Sequence, residues 1–148
     1  MYVVWQSRER KNWDLTRHSA RLVESVRVAG KPRQTFVAFL GSYETWAREH
    51  PSGTPPAEYE TRQRLQFWRS ARSVFETRGI YGEERARIED ALAQRIAPPT
   101  KAESYWDWEE GRSAFLTAMS ISGGRDSKLV EAAAAHMASE PEKPEESQ

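Results

Sequence analysis

Ser19–Tyr43 reads SARLVESVRVAGKPRQTFVAFLGSY, and its reading decides the fold of the first third of the chain. In its first half Ala20, Leu22, Val26 and Val28 fall on one side of an extended backbone, and Arg21, Ser25 and Arg27 on the other. That period of two is the signature of a strand with one covered face. Val23 and Glu24 each break the pattern once. Ala29-Gly30-Lys31-Pro32 follows as a turn: Gly30 can take a positive φ without steric cost, and Pro32 cannot donate a ladder hydrogen bond. Loops of two to four residues all fit, so the register stays open. Gln34–Leu40 is the returning strand, and Gly41-Ser42 is expected to stop it.

Before this hairpin, Tyr2-Val3-Val4-Trp5 predicts a first strand, and the charged stretch from there to Arg17 reads as a loop or ragged hairpin. After it, Ser42 is placed to cap a short helix over Tyr43–Glu49, and His50–Pro56 reads as a linker. Thr54 and Pro55 then open a long helix carrying Leu65, Trp68, Ala71, Val74 and Phe75 at helical spacing. Gly79 is its expected left-handed stop. Ile88, Leu92 and Ile96 predict a further helix that Pro98-Pro99 ends. Thr100-Lys101-Ala102-Glu103 is a capping box for a helix with Tyr105, Trp106, Trp108, Phe115, Leu116 and Met119, where Gly111 is a place for a kink or break. Asp126 caps a last, alanine-rich helix over Ser127–Ser139.

The expected class is α+β: about three antiparallel strands, with a hairpin near Ala29–Pro32, packed with four to five helices. The organisation expected is a single domain over 1–139, made of a β-hairpin module at 1–41 and a helical part at 42–139. An acidic, proline-broken tail at 140–148 is expected to be disordered.

The 148 residues hold six Trp, five Tyr and five Phe, enough aromatic mass for a core, and no cysteine. Disulfides, thiolate metal sites and cysteine nucleophiles are thereby excluded. The first residues do not follow the signal-peptide pattern, and no apolar run approaches a membrane span, so a cytoplasmic protein with no membrane partner is expected. His18, His50 and His136 have no metal-spaced partners and read as exposed or capping residues; no metal or cofactor is expected. Asp107 and Glu110 share a helix face, yet an acidic face beside tryptophans is usually a solvated one. No catalytic residue is assigned and no enzyme expected.

The net charge of zero hides an asymmetry: residues 1–48 carry +5 and residues 101–148 carry −5. Arg21, Arg27, Lys31, Arg33 and Gln34 cluster on and beside the hairpin turn, with Arg8, Arg10, Lys11 and Arg17 in the preceding segment. A two-stranded ribbon fits the DNA major groove, and arginine contacts phosphates and guanine edges, so these five residues are the candidate nucleic-acid contacts. The alternative is that basic residues and proline merely guard a sheet edge against aggregation.

Val23-Glu24-Ser25, Arg27, Gly30-Lys31, Arg33-Gln34 and Leu40-Gly41 resemble the N-terminal region of insertion-sequence transposases of the DDE class over about residues 1–45. The resemblance implies an end-recognition module. It does not imply transposition, because the long catalytic domain of that family is missing and helices stand in its place. The helical part, with QFWRSARSVFETRG, looks like small bacterial proteins of mobile-element neighbourhoods. The leading expectation is a DNA-binding or mobile-element accessory protein. The other is a protein-interaction module, a regulator or inhibitor, whose partner surface holds Trp106 and Trp108. The oligomeric state is not legible.

Overall fold

A computed structural model describes residues 1–10, 15–46 and 56–145. Three strands, β1 (Tyr2–Arg10), β2 (Leu15–Val28) and β3 (Lys31–Trp46), are followed by four helices, α1 (Pro56–Arg78), α2 (Gly82–Ala93), α3 (Lys101–Ser122) and α4 (Ser127–Ala138). The strands form one antiparallel meander in the order β1-β2-β3. The class is α+β, as expected. The chain divides into two compact units, Met1–Pro98 and Pro99–Gln148. No described helix is long and apolar enough to cross a membrane.

The strands run further than the sequence pattern indicates. Of the two readings of the polar stretch, loop or ragged hairpin, the hairpin holds: β1 continues to Arg10, which pairs with Leu15. Ladder hydrogen bonds are made by the backbone, so polar side chains do not stop a strand whose partner is held in register. Likewise β3 passes through Gly41-Ser42 to Trp46, and the short helix expected from Tyr43 does not form over Tyr43–Trp46. Tyr43 pairs with His18 and Trp46 with Leu15, and the Tyr43 ring packs edge-on to Trp5 and Phe67. That packing overrides a weak capping signal. The predicted linker, apart from Pro56, and the Thr54 cap lie outside the described residues.

β3 has two more residues than β2 over the same span. Ala20 pairs with Gly41 but Arg21 with Phe39, so Leu40 is extra; Leu22 pairs with Ala38 but Val23 with Phe36, so Val37 is extra. Each β-bulge reverses the side to which the following side chains point. Phe36 faces outward by alternation from the turn; the bulge at Val37 turns Phe39 to the same outer face, and the bulge at Leu40 leaves that side chain in the core.

α1 and α2 cover the other face. Ala20, Leu22 and Leu40 from the sheet meet Phe67, Trp68, Ala71 and Phe75 of α1, with Ile88 and Leu92 of α2. Phe67 is the centre: it stacks on Trp5 at 5.7 Å between ring centroids and meets Tyr43 and Trp68 edge-on. Gly41 makes this approach possible, since a Cβ there would lie 3.1 Å from the Phe67 ring. α1 ends as predicted, with Gly79 at φ 66° and Ile80 folded back to donate to the Phe75 carbonyl at 2.8 Å. α2 stops at Ala93, earlier than Pro98-Pro99 requires. Ile96 is buried all the same, and the indole of Trp68 donates to its carbonyl at 3.2 Å.

His18 is neither exposed nor a cap. One ring nitrogen lies 2.8 Å from Ser7 Oγ on β1 and the other 2.9 Å from Thr45 Oγ1 on β3, so the imidazole ties three strands together. It also stacks on Tyr43. Burial, helped by the positive charge of Arg95, lowers its pKa from the usual 6.5. The unfolded chain therefore binds more protons just below pH 6.5, and the contribution of neutral His18 is lost as pH falls through that window. Urea unfolding at successive pH values from 7.5 to 5.5 should show stability falling, and His18→Gln should flatten the fall.

The second unit is a helix pair. Thr100 Oγ1 accepts from the Glu103 N–H and the Glu103 carboxylate accepts from the Thr100 N–H, the predicted capping box. Asp126 caps α4 through the N–H groups of Lys128 and Leu129. The indole of Trp108 donates to the His136 carbonyl at 2.8 Å, and His136 Nε2 lies 2.8 Å from the Trp108 carbonyl, to which it donates; the two rings stack. α3 runs through Gly111 unbroken, because the glycine makes room: a Cβ there would lie 2.7 Å from the His136 ring. Gly111→Ala should thus weaken amide-exchange protection in α3 and α4 despite alanine's propensity advantage of about 1 kcal/mol. In a His136→Ala background the same change should strengthen it. Glu140–Glu145 has no helix or strand, though Lys101 pairs with Glu142 at 3.0 Å. Residues 146–148 lie outside the described residues.

Candidate nucleic-acid interface

β1 pairing ends at Tyr2 with Val23, so beyond that point β2 and β3 have only each other. Glu24–Val28 and Lys31–Thr35 form a free two-stranded ribbon of five pairs, about 17 Å long at roughly 3.4 Å per residue. Every side chain on it is exposed except Val26, which is half-buried. The turn is the two-residue kind, with Ala29 at φ 54° and Gly30 at φ 77° closing the pair Val28–Lys31. Two positive φ values match the twist of a ribbon, but alanine pays for the left-handed conformation where asparagine is better tolerated. Ala29→Asn should stabilise the ribbon by about 0.5 kcal/mol, read as slower exchange of the Val28 and Lys31 amides. Pro32 sits opposite Arg27, one step from the closing pair, where its missing N–H faces the open edge.

Register assigns each predicted contact to a face. Arg21, Arg27 and Gln34 lie on the outer face, and Lys31 and Arg33 on the opposite one, in line with Val28 and Val26. The five do not form a single cluster. Arg21 and Arg27 instead join three arginines of the segment whose sequence reads as a loop or ragged hairpin. The row Arg8–Arg17–Glu44 crosses all three strands on the outer face, and Arg10 lies in the next row with Leu15 and Trp46. Pairing of β1 with β2 brings them there, and alternation along a correctly extended β1 would have been the signal.

The outer face therefore carries Arg8, Arg10, Arg17, Arg21 and Arg27, all exposed, and among the described strand residues Glu44 is the one carboxylate beside them. Glu44 is engaged elsewhere: it accepts from the Tyr59 hydroxyl at 3.0 Å, and burial raises the pKa of that phenol. Arg17 donates to Ser42 Oγ at 3.1 Å. Among the described residues none of the five arginines is ion-paired. Between them lie the rings of Tyr2, Phe36 and Phe39, 40%, 59% and 46% exposed. A groove of about 350 Å³ runs between β3 and α1, bordered by Arg17, Phe39, Ser42, Gln63 and Ser70. This is a cationic surface with apolar rings, suited to binding a polyanion.

Trp108 is buried within the helix pair, whereas Trp106 is half-buried and borders an open surface groove with Glu109, Glu110 and Arg112. Asp107 is not on that groove. Among the described residues no three His, Asp or Glu side chains are grouped to hold a metal. No protein-family model, no curated protein and no solved structure matches the chain.

Proposed function

We propose that this chain is a non-enzymatic nucleic-acid-binding protein of the bacterial cytoplasm, an accessory to a mobile element, that uses the β2–β3 ribbon and the outer sheet face. The observation that carries the reading is the run of five arginines without carboxylate partners along one face, continuous with a ribbon of a width that fits the DNA major groove. The resemblance of Val23–Gly41 to an end-recognition module adds support, and Lys31 and Arg33 extend the cationic surface around the tip. Binding measured by fluorescence anisotropy should weaken steeply with salt, with a log–log slope of about −4.5 on duplex DNA if the five outer-face arginines each neutralise a phosphate. No binding to duplex or single strand at low salt would sink the proposal.

The second unit favours a second reading, a surface for a protein partner. Ile121 is 84% exposed, and Leu116, Val130 and Met137 are exposed on the same helix pair. Recovery of a specific protein that survives nuclease treatment, and is lost on Ile121→Asp, would support it.

A further inference from the structure

We infer that the ligand of the outer sheet face is a single-stranded nucleic acid, whose unpaired bases stack on Phe36, Phe39 and Tyr2 while the arginines hold its backbone. This rests on the nucleic-acid reading above and narrows it. Tyr2, Val23 and Phe36 form one row across the three strands, and Val4, Arg21 and Phe39 form the next. Neighbouring strands are about 4.8 Å apart, so Tyr2 and Phe36 stand roughly 10 Å from each other with the low, buried Val23 between them. None of the three rings has an aromatic or hydrogen-bonding partner among the described residues. Phe36 follows the alternation from the turn, and the bulge at Val37 turns Phe39, three residues on, to the same face.

Large rings left about half in water beside guanidinium groups keep apolar surface hydrated at a cost in free energy. A duplex offers phosphates and groove edges but no base π-face, since its bases are stacked on each other and their flat sides are out of reach. A single strand offers both phosphates and π-faces, and each base stacked on an aromatic side chain strengthens binding whatever its sequence. Along the strand axis Arg8 and Arg17 come first, then Arg21 beside Phe39, then Tyr2 and Phe36, and last Arg27. The rings thus form a platform with cations at both ends, which a flexible strand can cross with its bases on the rings and its phosphates at the arginines. The test of source is built in: DNA and RNA share this chemistry, and the 2′-hydroxyl separates them.

The full chain should be titrated by anisotropy with a labelled oligonucleotide of about 20 residues as single-stranded DNA, single-stranded RNA and DNA duplex, at one salt concentration. One or both single strands should bind about tenfold tighter than duplex. Phe36→Leu and Phe39→Leu should each lower single-strand affinity by about fivefold or more and leave duplex affinity within about twofold, and Phe36→Trp should retain tight binding. Because Phe36 is mostly exposed, its variants should keep the unfolding transition of the parent. Equal affinity for duplex and single strand, untouched by the Phe variants, would overturn this inference while the nucleic-acid reading stands. No binding to any of the three would overturn both. A concentration-dependent dimer that Phe36→Leu dissolves and oligonucleotide does not compete with would overturn the inference by assigning the face to a second copy.

Discussion

Replacing Arg17, Arg21 and Arg27 together by alanine should lower oligonucleotide affinity by about a hundredfold near 0.1 M salt, since each phosphate contact contributes roughly 0.7 log unit there on a single strand. The slope of log affinity against log salt should flatten by about 2 in the same variant. All three side chains are exposed and make no ion pair among the described residues, so the variant should fold as the parent does. The paired change Lys31→Ala with Arg33→Ala is the informative contrast. Those residues share the ribbon but not the face. If the outer face is the binding surface, their loss should cost markedly less than the loss of any two outer-face arginines. Equal losses would instead place the contact at the ribbon tip, reached from both sides.

Phe67→Ala should have the largest effect on stability, a loss of about 4 kcal/mol, in the range for burying and then deleting a large aromatic side chain. Phe67 is only 1% exposed, and it holds Trp5 of β1, Tyr43 of β3 and Trp68 of its own helix at once. Its removal empties the space that Gly41 was left small to admit. A domain with total stability of about 5–15 kcal/mol would lose a large share of it, and urea or thermal unfolding should show the transition shifted strongly or absent. Phe36→Ala, on the outer face, should change stability by no more than about 0.5 kcal/mol. The two phenylalanines thus separate a side chain that holds the core from one that leaves it untouched.

Signals closed within a few residues were legible in advance. Gly30 at the turn, Gly79 with Ile80 at the end of α1, the Thr100–Glu103 box and the Asp126 cap all depend on contacts between chain neighbours. What was misjudged depended on partners far along the chain. Gln6–Arg10 is a strand because Leu15–Ser19 lies beside it, and Tyr43–Trp46 is a strand because Leu15–His18 is there to pair with. Gly111 reads as a weak point in a helix until His136, from another helix, is seen to occupy the space it leaves. His18 likewise reads as a surface residue until Ser7 and Thr45 are brought to its two nitrogens.

The candidate site follows the same division. By itself the sequence determined that a basic β-hairpin with a glycine turn opens the chain, that helices follow, and that no thiol or spaced histidine pair offers metal chemistry. Only the tertiary structure decided which basic residues share a face. A side chain's face is set by register, and a single extra residue reverses it, so Lys31 and Arg33 part from Arg27 although they are near neighbours in the chain. Pairing across β1 adds Arg8, Arg10 and Arg17 in their place, and the bulge at Val37 turns Phe39 to the same side as Phe36. None of those choices is encoded in local spacing, because each is settled by the pairing that lets Leu22, Leu40 and Phe67 share one core.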